Sequence, residues 1–441
     1  MPMTQPKRWT RRAAATVIAA VPLFSAFSIV FATAQAQGLT APAKNLPHPQ
    51  LVTTIKAKKG GGGGAQNPPP EAKSTDLPPR VPYTAAEARA ATIPGMPDAR
   101  FWADSEADYK AALPSEPGPW LILSSGGSDG AFGAGLLNGL SEAGKRPEYT
   151  VVTGVSAGAL IAPFAFAGAR WDEAMHKAFT GITAADVFEA GNSTGESFVD
   201  SWPLRDFITK QITPDLMADI AAAHRAGRRL FIVTSDIDSE RSVVWNVGAI
   251  AAHGGEDAKK LIVKVLLASA SIPGGFPPVL MDVEAGGKHF QEMHVDGGLG
   301  GQFFVAPASL MASTSDYRLP ATQLYIVINT GLQRDFKVVD RFAPTILTQS
   351  IGMAVPVDTS LMIDRSYVAA KRSGVEFNVA TIPASFNAPS RGPFDPEYMK
   401  ALFQVGSVQG KGATAFAATP PPPPSGPVTQ SNHIQKTGAN E

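Results

Sequence analysis

Gly154-Val155-Ser156-Ala157-Gly158 lies where a β-branched run, Tyr149 to Val155, gives way to a small, apolar, helix-compatible segment from Ala157 to Ala167. A serine presented on a sharp turn between strand and helix crowds the residues two positions away on either side. Those positions must then be nearly free of side chain, which explains glycine at 154 and 158. Such a turn exposes the hydroxyl and sets it at a helix N-terminus, whose dipole favours an anionic intermediate. The G-x-S-x-G pattern alone is weak, and its other reading is a tight turn around an inert serine. The strand before it and the helix after it favour the nucleophile.

The same alternation extends outward. Trp120 to Ser125 is a short apolar run ending in glycines, followed by a helical stretch from Ala131 to Ala143. Pro214 to Ala226 has proline at its start and Gly227 just past its end, a helix signature. Arg229 to Ser235 and Arg241 to Val247 read as a strand pair, and Asp257 to Ala270 as a helix. His289 to Val295 and Leu324 to Asn329 are further strands, and Pro344 to Arg372 suits one long helix or two. Strands written as continuous apolar runs and separated by helices imply a mainly parallel sheet covered on both faces. The expected class is α/β, with three α/β/α layers.

Acyl transfer also needs donors preorganised for an oxyanion. Ser125-Gly126-Gly127-Ser128-Asp129-Gly130 sits between the first strand and its helix, where adjacent glycines and a helix start leave backbone N–H groups free. A phosphate-binding loop is the competing reading. No Gly-Lys-Ser/Thr ending follows, and Ser125 stands where the first glycine of G-x-G-x-x-G belongs. Of the seven histidines, His48 and His433 fall in the compositionally biased flanks, and His176, His224 and His253 carry no catalytic signature. His294 lies two positions before Asp296 on an expected strand, so both side chains face one side. Chain order therefore leaves a Ser-His-Asp triad through His289 or His294 open. Asp296-Gly297-Gly298 places a carboxylate at a strand end, the sheet edge where α/β sites collect. In isolation it would be an ordinary Asp-Gly turn.

Taken in order, the glycine-rich loop, the glycine-flanked Ser156 and Asp296-Gly297-Gly298 resemble the patatin-like phospholipase family. Gly130-Ala131-Phe132-Gly133-Ala134-Gly135 fits the resemblance, as do Ala268-Ser269-Ala270-Ser271-Ile272-Pro273, Phe276-Pro277-Pro278-Val279 and Phe394-Asp395-Pro396. It covers roughly residues 117–409 and implies a patatin-like fold and a Ser–Asp dyad without histidine. Ser156 would be the nucleophile and Asp296 the proton acceptor. The oxyanion loop maps onto Gly126, Gly127 and Ser128, with Gly130, Gly154, Gly158, Gly297 and Gly298 as motif positions. No metal or cofactor is implied. Two positions depart from the pattern: Ser125 replaces a usual glycine, and Asp129 stands where the family usually has Arg or Lys. An anion beside an oxyanion site disfavours negative charge there.

The expected activity is lipid acyl hydrolysis at carboxylic esters of phospholipids or simpler lipids. Two alternatives stand beside it: a catalytically weakened lipid-binding protein on the same fold, and a conventional Ser-His-Asp esterase. The chain of 441 residues contains no cysteine, which excludes thiolate nucleophiles, thiolate zinc sites and disulfide scaffolds. Its 38 basic and 38 acidic side chains argue against a nucleic-acid partner bound by general basicity. Lipid is the expected partner, with peripheral membrane contact and the oligomeric state left open.

Composition divides the chain. Lys7, Arg8, Arg11 and Arg12 precede an uncharged run from Ala13 to Ala34, with small-x-small sites at Ala32-Thr33-Ala34 and Ala34-Gln35-Ala36. Residues 1–36 read as a signal peptide and the chain as exported, periplasmic or secreted, with an uncleaved anchor as the alternative. Residues 37–82, with Gly60 to Gly64 and Pro68 to Pro70, read as a flexible linker. Residues 83–116 are expected as a helical extension, 117–410 as the catalytic domain and 411–441 as a proline-rich disordered tail. Removing residues 1–36 would leave a net charge of −4, and residues 117–410 alone carry −6.

Overall fold

The computed structural model describes residues 77–190, 196–333, 335–336, 338–422 and 429–430. The expected signal peptide, the linker as far as residue 76 and the end of the tail lie outside the described residues.

Among the described residues the strands are β1 (Arg100–Trp102), β2 (Gly118–Leu123), β3 (Val151–Val155), β4 (Arg229–Asp236), β5 (Arg241–Asn246), β6 (Val279–Ala285), β7 (Lys288–Asp296), β8 (Ala321–Ile328), β9 (Asp335–Phe336), β10 (Glu376–Thr381) and β11 (Thr429–Gln430). Nine of them form one sheet in the order β1-β5-β4-β3-β2-β8-β10, with β7 also pairing with β4, and β6 with β7. The run β4-β3-β2-β8-β10 is parallel throughout. β1, β5, β6 and β7 are antiparallel additions at one side. β9 and β11 make a separate two-residue parallel ladder.

Residues alternate between the two faces of the parallel strands, and both faces are dry. Leu121, Leu123, Val152, Leu230 and Ile232 join one apolar core with the helices Gly130–Glu142, Ala157–Ala167, Pro214–Arg225 and Gly255–Ser269. Trp120, Ile122, Val151, Phe231 and Val233 point the other way, into a second core shared with Phe303, Val305 and the C-terminal part of the Ala343–Ser373 helix. Burial on both sides is why these strands read as unbroken apolar runs. The fold is α/β, in three α/β/α layers around a mainly parallel sheet.

Residues 83–116 contribute two short helices, Ala85–Ala90 and Glu106–Ala112, and between them the edge strand β1. Tyr83 stacks on Phe290 of β7 at 4.3 Å between ring centroids. Past residue 410 the chain remains on the sheet as far as Ala417, which exchanges backbone hydrogen bonds with Val379 of β10.

β4 positions the site. Along one edge its residues Arg229 to Val233 pair with β3, and Val155, the last residue of β3, lies opposite Val233. One residue further, the same edge is taken by β7 running the other way, with Thr234 opposite Asp296. Asp296 thus occupies the ladder position that residue 156 would fill if β3 continued. Two strands of opposite direction meet end to end, and Ser156 and Asp296 are the residues at the junction.

Candidate active site

The turn at Ser156 is a strained one. Its φ of 54° and ψ of −120° lie in a region that side-chain-bearing residues seldom occupy. Gly154 and Gly158 make the conformation attainable. A Cβ on Gly154 would come within 2.5 Å of the Gly158 carbonyl oxygen, and one on Gly158 within 2.4 Å of the Leu123 oxygen. The Ser156 N–H donates to Ser269 Oγ at 3.0 Å, and that hydroxyl donates to the Val233 carbonyl at 2.7 Å. Ser269, on the helix Gly255–Ser269, therefore ties the elbow to β4. The Asp296 N–H is held in turn by the Ser271 carbonyl at 2.8 Å.

Ser156 Oγ donates to Asp296 Oδ2 at 2.7 Å, and the Gly298 N–H donates to Asp296 Oδ1 at 2.7 Å. Both Ser156 and Asp296 are buried. Burial pushes the Asp296 carboxyl up from 3.8 to about 6, against the opposing pull of the Ser156 hydroxyl and the Gly298 N–H. It is therefore mostly ionised at neutral pH yet basic enough to hold a proton transiently.

The two histidines of the triad reading lie elsewhere. His294 Nδ1 meets Thr234 Oγ1 at 2.8 Å and its Nε2 meets Glu292 Oε2 at 3.2 Å, so neither ring nitrogen is directed to Ser156. Trp245 Nε1 donates to Thr234 Oγ1 at 2.8 Å, and Arg100 closes the chain by pairing with both oxygens of Glu292. His289 is exposed, 3.7 Å from Glu284.

The glycine-rich loop is held by two residues that the sequence reading missed. Asn329, at the carboxyl end of β8, donates from Nδ2 to the Ser124 carbonyl at 3.0 Å and accepts the Gly133 N–H at 3.0 Å. Its backbone passes so close to Gly126 that a Cβ there would lie 2.1 Å from the Asn329 oxygen. Gln302 binds the Ser125 hydroxyl through Oε1, accepts the Ser125 N–H at its carbonyl at 2.8 Å, and donates from Nε2 to the Gly298 carbonyl at 2.9 Å. Ser125 thus connects the loop to the turn carrying Asp296. Asn329 ends a run already expected as a strand, where a polar residue at a carboxyl edge could have marked it. Gln302 sits in a loop with no such pattern. At the other departure, Asp129 Oδ1 accepts the Tyr398 hydroxyl at 2.8 Å.

Ser156 opens onto an apolar cavity, and Gly127 of the glycine loop lines it too. Leu160, Phe164, Phe179, Phe207, Ile212 and Phe276 give it an apolar wall, with Gln211 as the one polar side chain besides Ser156 among the described residues. Phe394 also lines it, and Asp395 accepts the Glu397 N–H to cap the helix Pro396–Lys411. Gly130 begins the helix Gly130–Glu142, and Gly297 and Gly298 form the turn after β7. Among the described residues no group of three or more His, Cys, Asp and Glu side chains is arranged to hold a metal ion.

No curated protein matches the chain. The crystal structure of VipD from Legionella pneumophila superposes with a TM-score of 0.35 and 12% sequence identity, covering 71% of this chain and 69% of that one. Residues 121–309 match the family model of the patatin-like phospholipases. They include the glycine-rich loop, the Ser156 elbow and the Asp296 turn, so the part of the chain that carries the candidate site is the part similar to that family.

Proposed function

We propose that this protein is a serine lipid acyl hydrolase that cleaves carboxylic esters of phospholipids or other lipids through a dyad of Ser156 and Asp296. The observation that carries the reading is the 2.7 Å hydrogen bond from Ser156 Oγ to the buried Asp296 carboxylate, beside a cavity with an apolar wall. Asp296 accepts the hydroxyl proton as Ser156 Oγ attacks the ester carbonyl, and a tetrahedral oxyanion forms. Backbone N–H groups of Gly126, Gly127 and Ser128, with the N-terminus of the helix Ala157–Ala167, stabilise that charge. Asp296 then returns the proton to the leaving alcohol, and water, deprotonated by the same carboxylate, hydrolyses the acyl-enzyme. The cavity takes the acyl chain, since its wall offers almost nothing to a polar group.

Labelling with a fluorophosphonate, together with hydrolysis of p-nitrophenyl esters of several chain lengths, tests the reading. Wild type is expected to label and to turn over, with activity rising toward longer acyl chains, and Ser156→Ala to do neither. A wild-type protein that neither labels nor hydrolyses any ester would overturn the enzyme assignment. Full activity in Ser156→Ala would overturn the site.

A further inference from the structure

The helix Ala343–Ser373 behaves as two different helices. From Thr359 onward Ile363, Ser366, Ala369 and Ala370 are buried against the second core, as a surface helix of an α/β layer should be. Among the described residues from Thr345 to Asp358, none is buried. Ile346, Leu347, Ile351, Met353 and Val357 are exposed, Met353 by 70%, and Phe342 and Val338 extend the apolar surface before the helix begins. The sequence from Ala343 to Val357 contains no charged residue. At 100° per residue, Ile346, Leu347, Ile351, Met353, Ala354, Val355 and Val357 spread over about 200° of the helix, leaving Thr345, Thr348, Gln349 and Gly352 on the remainder.

An apolar surface of this kind is stable only when something covers it, and three observations choose a bilayer. The first is the treatment of Ser350, the polar residue inside the apolar arc. Its hydroxyl donates to the Ile346 carbonyl of its own helix at 2.7 Å, so it needs no water. The second is breadth: an uncharged arc of about 200° exceeds what one flat protein face would cover. The third is place. Asp358, at the foot of the exposed part, accepts the Gln302 N–H, and Met362 packs over Gly301. Those two residues belong to the loop that follows Asp296-Gly297-Gly298, in which Leu299 is itself 59% exposed.

We infer that the exposed half of this helix, together with Phe342, inserts into one leaflet of a lipid bilayer and holds the Ser156–Asp296 site at the membrane surface. The inference rests on the lipid-hydrolase reading for its biological sense, though not for its physical argument. Length excludes a span. By composition residues 345–373 are apolar enough to cross a membrane. The buried half, however, belongs to the protein core, and the free half rises only about 24 Å against a hydrocarbon thickness of about 30 Å. The element is therefore interfacial.

The absence of cysteine from the chain makes the test clean. A single cysteine at Met353→Cys in the full-length protein carries an environment-sensitive fluorophore, and Lys260→Cys, on a helix of the opposite layer, serves as the reference. On adding phosphatidylcholine vesicles, the Met353 label is expected to shift to the blue and to be quenched by nitroxide-bearing acyl chains, with the Lys260 label unmoved. The variant Leu347→Asp/Ile351→Asp should lower the vesicle affinity read by that label by about a hundredfold or more, each withdrawn side chain accounting for roughly tenfold. Its hydrolysis of a soluble short-chain p-nitrophenyl ester should stay at the wild-type rate. A Met353 label that does not respond to vesicles overturns the inference. So does one already shifted without lipid in a protein that light scattering shows to be a dimer, because the face would then be covered by a second copy. A wild type that inserts but hydrolyses no ester would overturn the proposed activity and leave the docking surface standing.

Discussion

On the proposed mechanism, Asp296 sets stability against function. Burial raises its pKa from 3.8 to about 6, so the folded protein holds this proton more tightly than the unfolded chain does. Its contribution to folding is fully present below the unfolded value and is lost as pH rises through about 6, leaving a cost of roughly 2–3 kcal/mol at neutral pH. Asp296→Asn should accordingly raise the thermal midpoint at pH 7.5 while abolishing ester hydrolysis, and leave the midpoint little changed at pH 4. Calorimetry at the two pH values checks this, and an equal shift at both would contradict the burial argument. In wild type the acylation rate should rise with pH through about 6 and level off above it. Gln302 offers a second test. Gln302→Ala removes the two side-chain hydrogen bonds, to the Ser125 hydroxyl and the Gly298 carbonyl, that join the glycine loop to the Asp296 turn, keeps the backbone bond from the Ser125 N–H, and should cost about 1–3 kcal/mol of stability and lower kcat about tenfold at unchanged KM. Adding Ser125→Gly should recover part of the loss, because the stranded hydroxyl is gone; a double variant no better than the single one would show that this pair does not hold the loop. The meeting of Ser156 with Asp296 could be anticipated because their neighbours must be glycine, a constraint that survives in sequence. Gln302 was not, since hydrogen bonds to Ser125 across 177 positions leave no local pattern.

At the level of elements, the junction depends on β4 offering one edge to two strands. The apolar runs of β2, β3, β4 and β8 were readable because a strand buried on both faces has to be apolar throughout. The hairpin partner β6 was not readable, and neither were the edge strand β1 and strand β10. Their residues are half-exposed or few, and their pairing is settled by packing rather than by propensity. β7 was expected as a strand, and its period-two pattern has a consequence for mechanism: Glu292 and His294 are wholly buried on the same alternation as Asp296. Buried beside Arg100 and Thr234, they form a structural chain under the site. His294→Gln keeps a polar group between Thr234 and Glu292 but with poorer geometry. It should lower stability by about 1–3 kcal/mol while changing kcat per folded molecule by less than about tenfold. Ester turnover normalised to fluorophosphonate-labelled enzyme separates the two effects. A fall of several orders of magnitude with normal folding would restore the histidine as a catalytic group.

On the scale of the whole molecule, charge and apolar surface are separated. The expected catalytic domain, residues 117–410, carries a net −6, while the exposed half of the long helix carries no charge between Ala343 and Val357. That helix was expected as an element, but its exposure was not, because an uncharged apolar run reads as core unless tertiary packing leaves it outside. Coulomb attraction to anionic headgroups falls off within a Debye length and weakens with salt, whereas apolar insertion does not weaken. For an acidic domain that meets lipid through an apolar element, raising sodium chloride from about 0.05 to 0.5 M should leave the vesicle titration of the Met353 label unchanged or slightly tighter, its Debye screening length shrinking by about threefold meanwhile. Replacing a third of the phosphatidylcholine by phosphatidylglycerol should not strengthen it. A titration that weakens steeply with salt, or sharpens on anionic vesicles, would mean that cations elsewhere in the chain bring the protein to the surface, and the apolar helix could not then be what selects the membrane.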